Sequence, residues 1–340
     1  MSKKNILNYC YLELAQEIEA IGEKSFRASQ IFEWIYKKGV LSFLEMKNIP
    51  ENLRRVLDEK FVIQSLNGQK TLFSLDGTKK VLFSLRDDEQ IETVLIPTKK
   101  RATLCISTQA GCKFGCQFCA SGLLGFKRNL ECSEIVGQIL LMKEMFKEAP
   151  ITHIVFMGVG EPFDNYDALM KAIGLINSKE GFHIAKRRIT ISTCGLVPGI
   201  ERFAKESLQV ELAISLHASN DELRNKLMPV NKKYPLKELM VACRGYYKKT
   251  NRQITFEYLM IKDFTCNETS ARELKSLLRG FDNKLNLICY NEVSEFDYKA
   301  PTKQEIYSFQ KSLDAAGILS VIRTPRGTDI AAACGQLRIN

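Results

Sequence analysis

Cys112, Cys116 and Cys119 fall within one short segment, Cys112-Lys113-Phe114-Gly115-Cys116-Gln117-Phe118-Cys119. Three thiolates at this spacing can hold three irons of a 4Fe-4S cluster and leave the fourth iron without a protein ligand. An open iron points to chemistry rather than electron storage. It can chelate the amine and carboxylate of S-adenosylmethionine and pass an electron to the sulfonium, releasing a 5′-deoxyadenosyl radical. Gly115 lets the chain wrap tightly, and Phe114 and Phe118 can keep water from the cluster. Structural zinc is the alternative. It asks for four donors, usually as two separated pairs, and the next candidates, Cys132 and His153, do not stand at such spacing.

Further residues of chemical use end predicted strands. Gly158-Val159-Gly160-Glu161-Pro162 follows an apolar run ending at Met157; its glycines admit a ligand to the backbone, and Glu161 can accept a hydrogen bond from an ammonium group. Ser192-Thr193 and Ser215-Leu216-His217 offer hydroxyl and imidazole donors to a ribose or carboxylate. Asn291 ends another run. Each alone reads equally as a turn or a satisfied core residue. Four polar strand ends beside an open cluster read as one site.

The elements that would position them alternate. Strand patterns cover Ile151–Met157, Arg188–Ser192, Val210–Leu216, Ile254–Met260, Leu285–Tyr290 and Leu319–Arg323. Helical patterns lie between, at Glu134–Phe146, Tyr166–Asn177 and Lys303–Ala316. Alternation implies an α/β fold with a parallel sheet, here with six to seven βα units against the eight of a closed barrel, hence a partial (βα)6 barrel. Before it, Leu12 to Glu59 carries helical spacing of Ile18, Ile21, Phe32, Ile35 and Leu41. Thr71–Leu75 and Lys79–Leu85 flank Asp76-Gly77, a strong hairpin signal. We therefore expect a helical accessory domain that binds RNA over 1–66, a β-hairpin link over 67–100 and a catalytic domain over 101–340.

Composition bounds the partners. A net charge of +10, with basic runs such as Lys79-Lys80, Lys99-Lys100-Arg101 and Lys186-Arg187-Arg188, makes RNA the leading partner. Eleven cysteines with no apolar leader suit a reducing cytoplasm. No apolar run is long enough to cross a membrane.

Together, Cys112 to Cys119, Gly160-Glu161-Pro162, Ser215-Leu216-His217 and Ala333-Cys334-Gly335-Gln336-Leu337 resemble the radical S-adenosylmethionine RNA methyltransferases, from about Phe26 to Leu337. Pro162, Arg326, Gly327 and Ile96-Pro97 resemble the branch acting on adenosine C2 more than its sister acting on C8. The resemblance implies 23S rRNA at the peptidyl-transferase centre and tRNA beside the anticodon as substrates. It further implies two molecules of S-adenosylmethionine per turnover and an electron donor such as flavodoxin. It assigns the cluster to Cys112, Cys116 and Cys119, and the cofactor to Gly160, Glu161, Ser192, Ser215, Leu216, His217 and Asn291. Cys334 becomes a methyl carrier, Cys105 its partner thiol and Glu92 a proton acceptor. A zinc-holding RNA-binding module would have no use for Cys105 and Cys334, which otherwise read as small buried hydrophobes. Cys10, Cys132, Cys194, Cys243, Cys266 and Cys289 match no functional position.

Overall fold

The computed structural model describes residues 3–63, 66–123 and 125–338. After strand β1 (Lys4–Asn5), helices α1 (Tyr11–Ala20), α2 (Phe26–Phe32) and α3 (Glu51–Lys60) follow the apolar spacing of the sequence; α2 runs on into a π-helical turn over Glu33–Lys37. Ile18, Phe32 and Ile35 are buried, so the aromatic content of this segment is mainly core. β2 (Phe61–Val62) pairs in parallel with β1.

The chain then continues through β3 (Asn67–Phe73), β4 (Lys79–Ser84), β5 (Gln90–Pro97), β6 (Ala102–Cys105) and a small hairpin of β7 (Gln109–Gly111) and β8 (Phe126–Asn129). Helix α4 (Cys132–Met145) leads to β9 (Ile151–Phe156), α5 (Tyr166–Asn177), β10 (Ile189–Thr193), α6 (Val197–Lys205), β11 (Glu211–Ser215), α7 (Asp221–Leu227) and α8 (Leu236–Thr250). Last come β12 (Ile254–Met260), α9 (Glu268–Leu277), β13 (Asn283–Cys289), α10 (Lys303–Ala315) and β14 (Ser320–Arg323). The ends of α10 follow from side-chain chemistry: Thr302 and Glu305 form a reciprocal capping box that satisfies amides of the first turn.

One ten-stranded sheet runs in the order β14-β13-β12-β11-β10-β9-β6-β5-β4-β3. From β6 to β14 neighbours are parallel, and from β3 to β6 antiparallel. The expected parallel α/β sheet is present and open, with β14 and β3 as its edges. The segment expected as a separate β link is not separate: β3 to β5 extend the same sheet through the pairing of Val94 with Cys105. That pairing matters for the chemistry, because it brings β5 beside the carboxyl end of β6.

The helical unit is tied to the sheet's outer layer. Asn8 accepts the Ser133 amide and donates to Glu131 at the start of α4, both at 2.8 Å, and Lys171 on α5 pairs with Glu13 at 2.7 Å. A single apolar core extends from Leu14 and Phe32 to Phe256 and Leu313. Among the described residues, no helix is long and apolar enough to cross a membrane.

Candidate active site

Parallel strands turn their carboxyl ends to one edge, and the loops that leave that edge form the candidate site. The cysteine loop leaves β7. Gly111 has φ +72°, and a Cβ there would lie 1.7 Å from the Gly125 carbonyl, so only glycine lets the β7–β8 hairpin close behind the loop. The Cys112 amide donates to that carbonyl at 3.0 Å, and the Cys119 amide to Cys116 O at 3.1 Å. Gln117 N–H donates to Leu227 O at 2.8 Å, and Lys113 pairs with Asp164 at 2.7 Å. Phe114 and Phe118 pack with Cys116 against Leu227, Met228, Val230, Leu259, Ile261 and Tyr290, which makes the expected apolar wall.

Burial pushes the Cys112 thiol up to about 12 and raises Cys116 and Cys119 as well; Cys119 adds to the rise of Cys112, and both add to that of Cys116. Metal-free, these are neutral thiols. Iron must supply the charge that makes them thiolates.

Glu161 follows β9. Its carboxylate accepts the Phe163 amide at 3.0 Å and the Cys194 amide at 2.7 Å, and its own amide donates to Gln109 Oε1 at 2.9 Å. Gly160 has φ +103°, and an added Cβ would stand 2.5 Å from the Gln109 side chain. Burial raises the Glu161 pKa while the two amides hold it down. A carboxylate has lone pairs beyond the two used here. Glu161 therefore fits an ammonium group.

Ser192 and Ser215 are half-buried on β10 and at the end of β11. Beyond them His217 is buried with φ +57°, its ring edge-on to Phe118 at 4.8 Å and its Nδ1 without a partner. Burial, then nearby Arg224, lowers its pKa to about 3, so the ring is neutral. An orphaned buried nitrogen at the mouth is what a cofactor-lined pocket would leave. Leu216, in contrast, has no exposed surface, and its amide and carbonyl are both engaged within the protein. It backs the site from behind. Asn291 donates to Cys334 O at 3.1 Å, so here its amide holds the carboxyl-terminal loop.

Sequence reading missed Arg224. It is fully buried, donating to Leu216 O at 3.1 Å, Asn231 Oδ1 at 2.8 Å, Cys194 O at 2.7 Å and Ser215 O at 3.1 Å. One guanidinium thus ties the ends of β10 and β11. Cys194, given no function from sequence, enters the site through its backbone and packs beside Cys116.

The carboxyl-terminal loop closes the site. Ala120 N–H donates to Gly335 O at 2.7 Å and Ser121 Oγ to Leu337 O at 2.8 Å. Gly327 N–H donates to Asp76 Oδ2 at 3.0 Å, and Asp329 accepts Ser74 Oγ at 2.6 Å and the Leu75 amide at 3.1 Å. Cys105 ends β6 in an apolar cluster with Val94, Val159, Ala332 and Leu337. Both Cys105 and Cys334 are free thiols. Burial, and then Cys334, raise the Cys105 pKa. Cys334 is itself an exposed residue; desolvation of its thiol against the loop, then Glu257, push it up to about 11 against the pull of Arg323, with Cys119 also acting on it. Cys334 thus stands within electrostatic reach of Cys105 and of a cluster cysteine.

Glu92, on β5, is buried with Lys80 from β4; Lys80 Nζ lies 2.8 Å from Glu92 Oε1 and donates to Ala331 O at 3.0 Å. Burial raises the Glu92 pKa, opposed by Lys80 and Arg338. Lys80 is therefore buried and cannot serve as the RNA contact that its basic run suggested. Two other basic runs, Lys99-Lys100-Arg101 and Lys186-Arg187-Arg188, precede β6 and β10 and sit at the amino edge of the sheet, away from this mouth.

An open parallel sheet with a three-cysteine loop and polar strand ends at its carboxyl edge defines a radical S-adenosylmethionine enzyme. Residues 106–270 match the radical SAM superfamily model, and residues 4–63 the ribosomal RNA large subunit methyltransferase N-terminal domain. A solved radical SAM methyltransferase from Sphaerobacter thermophilus superposes with TM-score 0.95 at 41% identity, covering 98% of this chain and 99% of that one. Curated relatives named probable dual-specificity RNA methyltransferase RlmN include that of Dictyoglomus turgidum, 46% identical over 98% of this chain and 96% of its own, and that of Staphylococcus carnosus, 44% identical over 99% and 93%. The chain belongs to the RlmN family of radical SAM RNA methyltransferases. It works with a 4Fe-4S cluster and S-adenosylmethionine, and the three half-buried loop thiols, the Glu161 carboxylate and the orphaned His217 nitrogen fit those groups.

Proposed function

We propose that this enzyme methylates C2 of an adenosine in 23S rRNA at the peptidyl-transferase centre, and C2 of the adenosine 3′ of the anticodon in tRNA. The observation that carries the reading is the gathering of Cys105, Cys334 and Glu92 around one carboxyl-terminal loop hydrogen-bonded to the cluster loop. The dual specificity in the relatives' names supports two classes of RNA.

Adenine C2 lies between two ring nitrogens and is too electron-poor to attack a sulfonium methyl. When bound, the cluster and cofactor supply a carbon-centred radical. In our reading Cys112, Cys116 and Cys119 bind the cluster; Gly160, Glu161, Ser192, Ser215, His217 and Asn291 line the cofactor with Leu216 behind them. Cys334 loses its thiol proton and takes a methyl group on sulfur. Hydrogen-atom loss from that methyl leaves a radical that adds to C2. The adduct gives up its C2 proton, which goes to Glu92, and one electron, which the bound oxidised cluster would take up. Cys105 then attacks the Cys334 sulfur: a disulfide forms, the sulfur–methylene bond breaks, and its electron pair takes up a proton to complete the new methyl group. A dithiol reductant restores the pair, and a low-potential donor such as flavodoxin feeds the cluster. Residues 1–66 would serve as the accessory RNA-binding domain of the catalytic unit over 101–340, in the cytoplasm.

The test is direct. Holoenzyme reconstituted without oxygen is incubated with 23S rRNA and separately with tRNA, and the RNA is digested to nucleosides. We expect 2-methyladenosine from both; 8-methyladenosine would assign the sister activity, and no methylated adenosine would end the proposal.

A further inference from the structure

Lys80 is a charged side chain with almost no contact with water. It is 4% exposed, and its two partners are the Glu92 carboxylate at 2.8 Å and the Ala331 carbonyl at 3.0 Å. Glu92 is 2% exposed, and its Oε2 has no hydrogen-bond partner. An ammonium hidden in a protein is costly unless paired, so this arrangement is a built one. The geometry follows from register. On the antiparallel strands β4 and β5, Leu82 stands opposite Glu92, so Lys80 lies diagonal to it on the same face. Two residues further along β5, Val94 stands opposite Cys105. Ala331, whose carbonyl Lys80 holds, is three residues before Cys334. One ammonium thus touches the strand that carries the carboxylate and the loop that carries the second thiol.

We propose that Lys80 is a positioning residue that keeps Glu92 an ionised proton acceptor and, by the same ammonium, tethers the Cys334 loop to it. The inference rests on the reading of Glu92 given above. In the step concerned the C2–H bond of the RNA adduct breaks, its electron pair stays in the purine ring, and the proton bonds to the free Oε2 of Glu92. A neutral Glu92 could not take it. Burial favours the neutral form, and an adjacent cation restores the charged one. The charged and titratable groups around Glu92 are Lys80 from β4, Arg338 from the carboxyl-terminal segment, and the Cys105 thiol on neighbouring β6. Lys80 bonds the carboxylate oxygen and, through Ala331 O, the loop that carries Cys334; Arg338 reaches Glu92 from the far side of that thiol in the chain.

The experiment uses reconstituted holoenzyme with Lys80→Met, Lys80→Arg and Glu92→Gln, an rRNA fragment bearing the target adenosine, and single turnovers between about pH 6 and 9. Methylated nucleoside and ribonuclease-sensitive, slow-migrating protein are both measured, with iron content and the cluster's electron paramagnetic resonance spectrum as the check on folding. We expect Lys80→Met to keep its cluster, to accumulate cross-linked RNA although Cys105 is present, and to release methylated RNA on the order of 10²-fold more slowly at neutral pH. Its release should quicken as pH rises and ionises Glu92, while the unaltered enzyme stays flat; Lys80→Arg should recover most of the rate and the flat profile. Release by Lys80→Met at the normal rate, or slow release that ignores pH, overturns the proposal, as does a complete absence of cross-link. If Lys80→Met fails to hold its cluster, the double variant Lys80→Met/Glu92→Gln, which leaves no unpaired charge, should regain it; failure to regain it counts against the pairing. Normal turnover by Glu92→Gln would instead remove the proton-acceptor assignment itself, whatever Lys80 does.

Discussion

The cysteine loop and the Cys334 loop meet through Ala120 N–H to Gly335 O and Ser121 Oγ to Leu337 O, yet they are built in opposite ways. The first draws its three cysteines from eight consecutive residues, folded over a glycine-closed hairpin. The second is held by residues far away in the chain: Lys80 at a separation of 251, Asp329 against Leu75 at 254, and Ser121 against Leu337 at 216. A local motif can be lost only by changing its own residues. A long-range one can be loosened from anywhere that supports it.

The largest effect should come from the local side. Cys116→Ala, and equally Cys112→Ala or Cys119→Ala, should leave the chain folded but strip it of bound iron and of S-adenosylmethionine cleavage. Iron and sulfide analysis after anoxic reconstitution decides it; full cluster content in any of the three variants would break the assignment of three ligands. On the long-range side, Cys105→Ala should still form the protein–RNA cross-link but fail to release it, whereas Cys334→Ala should form none. Gel mobility before and after ribonuclease separates the two. Normal turnover by Cys105→Ala would show that the two thiols do not act as a pair.

Arg224 joins the ends of two strands, so Arg224→Met tests the frame and not a ligand. It leaves three backbone carbonyls without their buried donor, a loss on the order of 3 kcal/mol or more. Chemical denaturation should register it, with iron content per folded chain little changed. A variant as stable as the parent would mean that water replaces the guanidinium.

Asp329→Ala releases the carboxyl-terminal segment from Ser74 and Leu75 at the exposed hairpin turn. We expect a few-fold fall in methylation with unchanged S-adenosylmethionine cleavage, since only the Cys334 side is loosened. A parallel fall in both would show that the two regions are coupled more tightly than their two hydrogen bonds suggest.

The smallest effect concerns pH. His217 is held neutral to about pH 3 in the folded protein, chiefly by burial, whereas an unfolded histidine binds a proton below about pH 6.5. The stability gained from the neutral ring is therefore full above about pH 6.5 and is lost as pH falls toward 3. Replacing it, as in His217→Gln, should leave a stability gap between the two proteins that is constant above about pH 7 and narrows below about pH 6. A gap that does not change with pH would mean that the ring already carries a proton.

Much of this molecule can be read from its residues in order. The Asp76-Gly77 turn, the apolar runs of β9 to β13 and the three-cysteine loop each depend on neighbours in sequence, and each lies where its pattern predicts. The join between β5 and β6 does not depend on neighbours in this way, and with it the extension of the parallel sheet by an antiparallel edge escaped the reading. From sequence Lys80 belongs to a basic run that suggests RNA, and Arg224 carries no signal. Nothing beside either residue marks it as buried.

What the sequence by itself determined is the chemistry on offer: three thiols at cluster spacing, strand ends bearing Glu161, Ser192, Ser215, His217 and Asn291, and a cysteine near the carboxyl terminus. Those follow from residue type and local periodicity, which act over a few residues. The tertiary structure alone decided that Cys334 stands within reach of Cys105 and Cys119, that Leu216 backs the site instead of facing it, and that Lys80 joins Glu92 to the Cys334 loop. Burial makes the Lys80–Glu92 pairing strong, because a charge or a polar atom withdrawn from water must find its partner within the protein. Which partner it finds depends on strand register and loop closure across some 250 residues, and no local pattern encodes that.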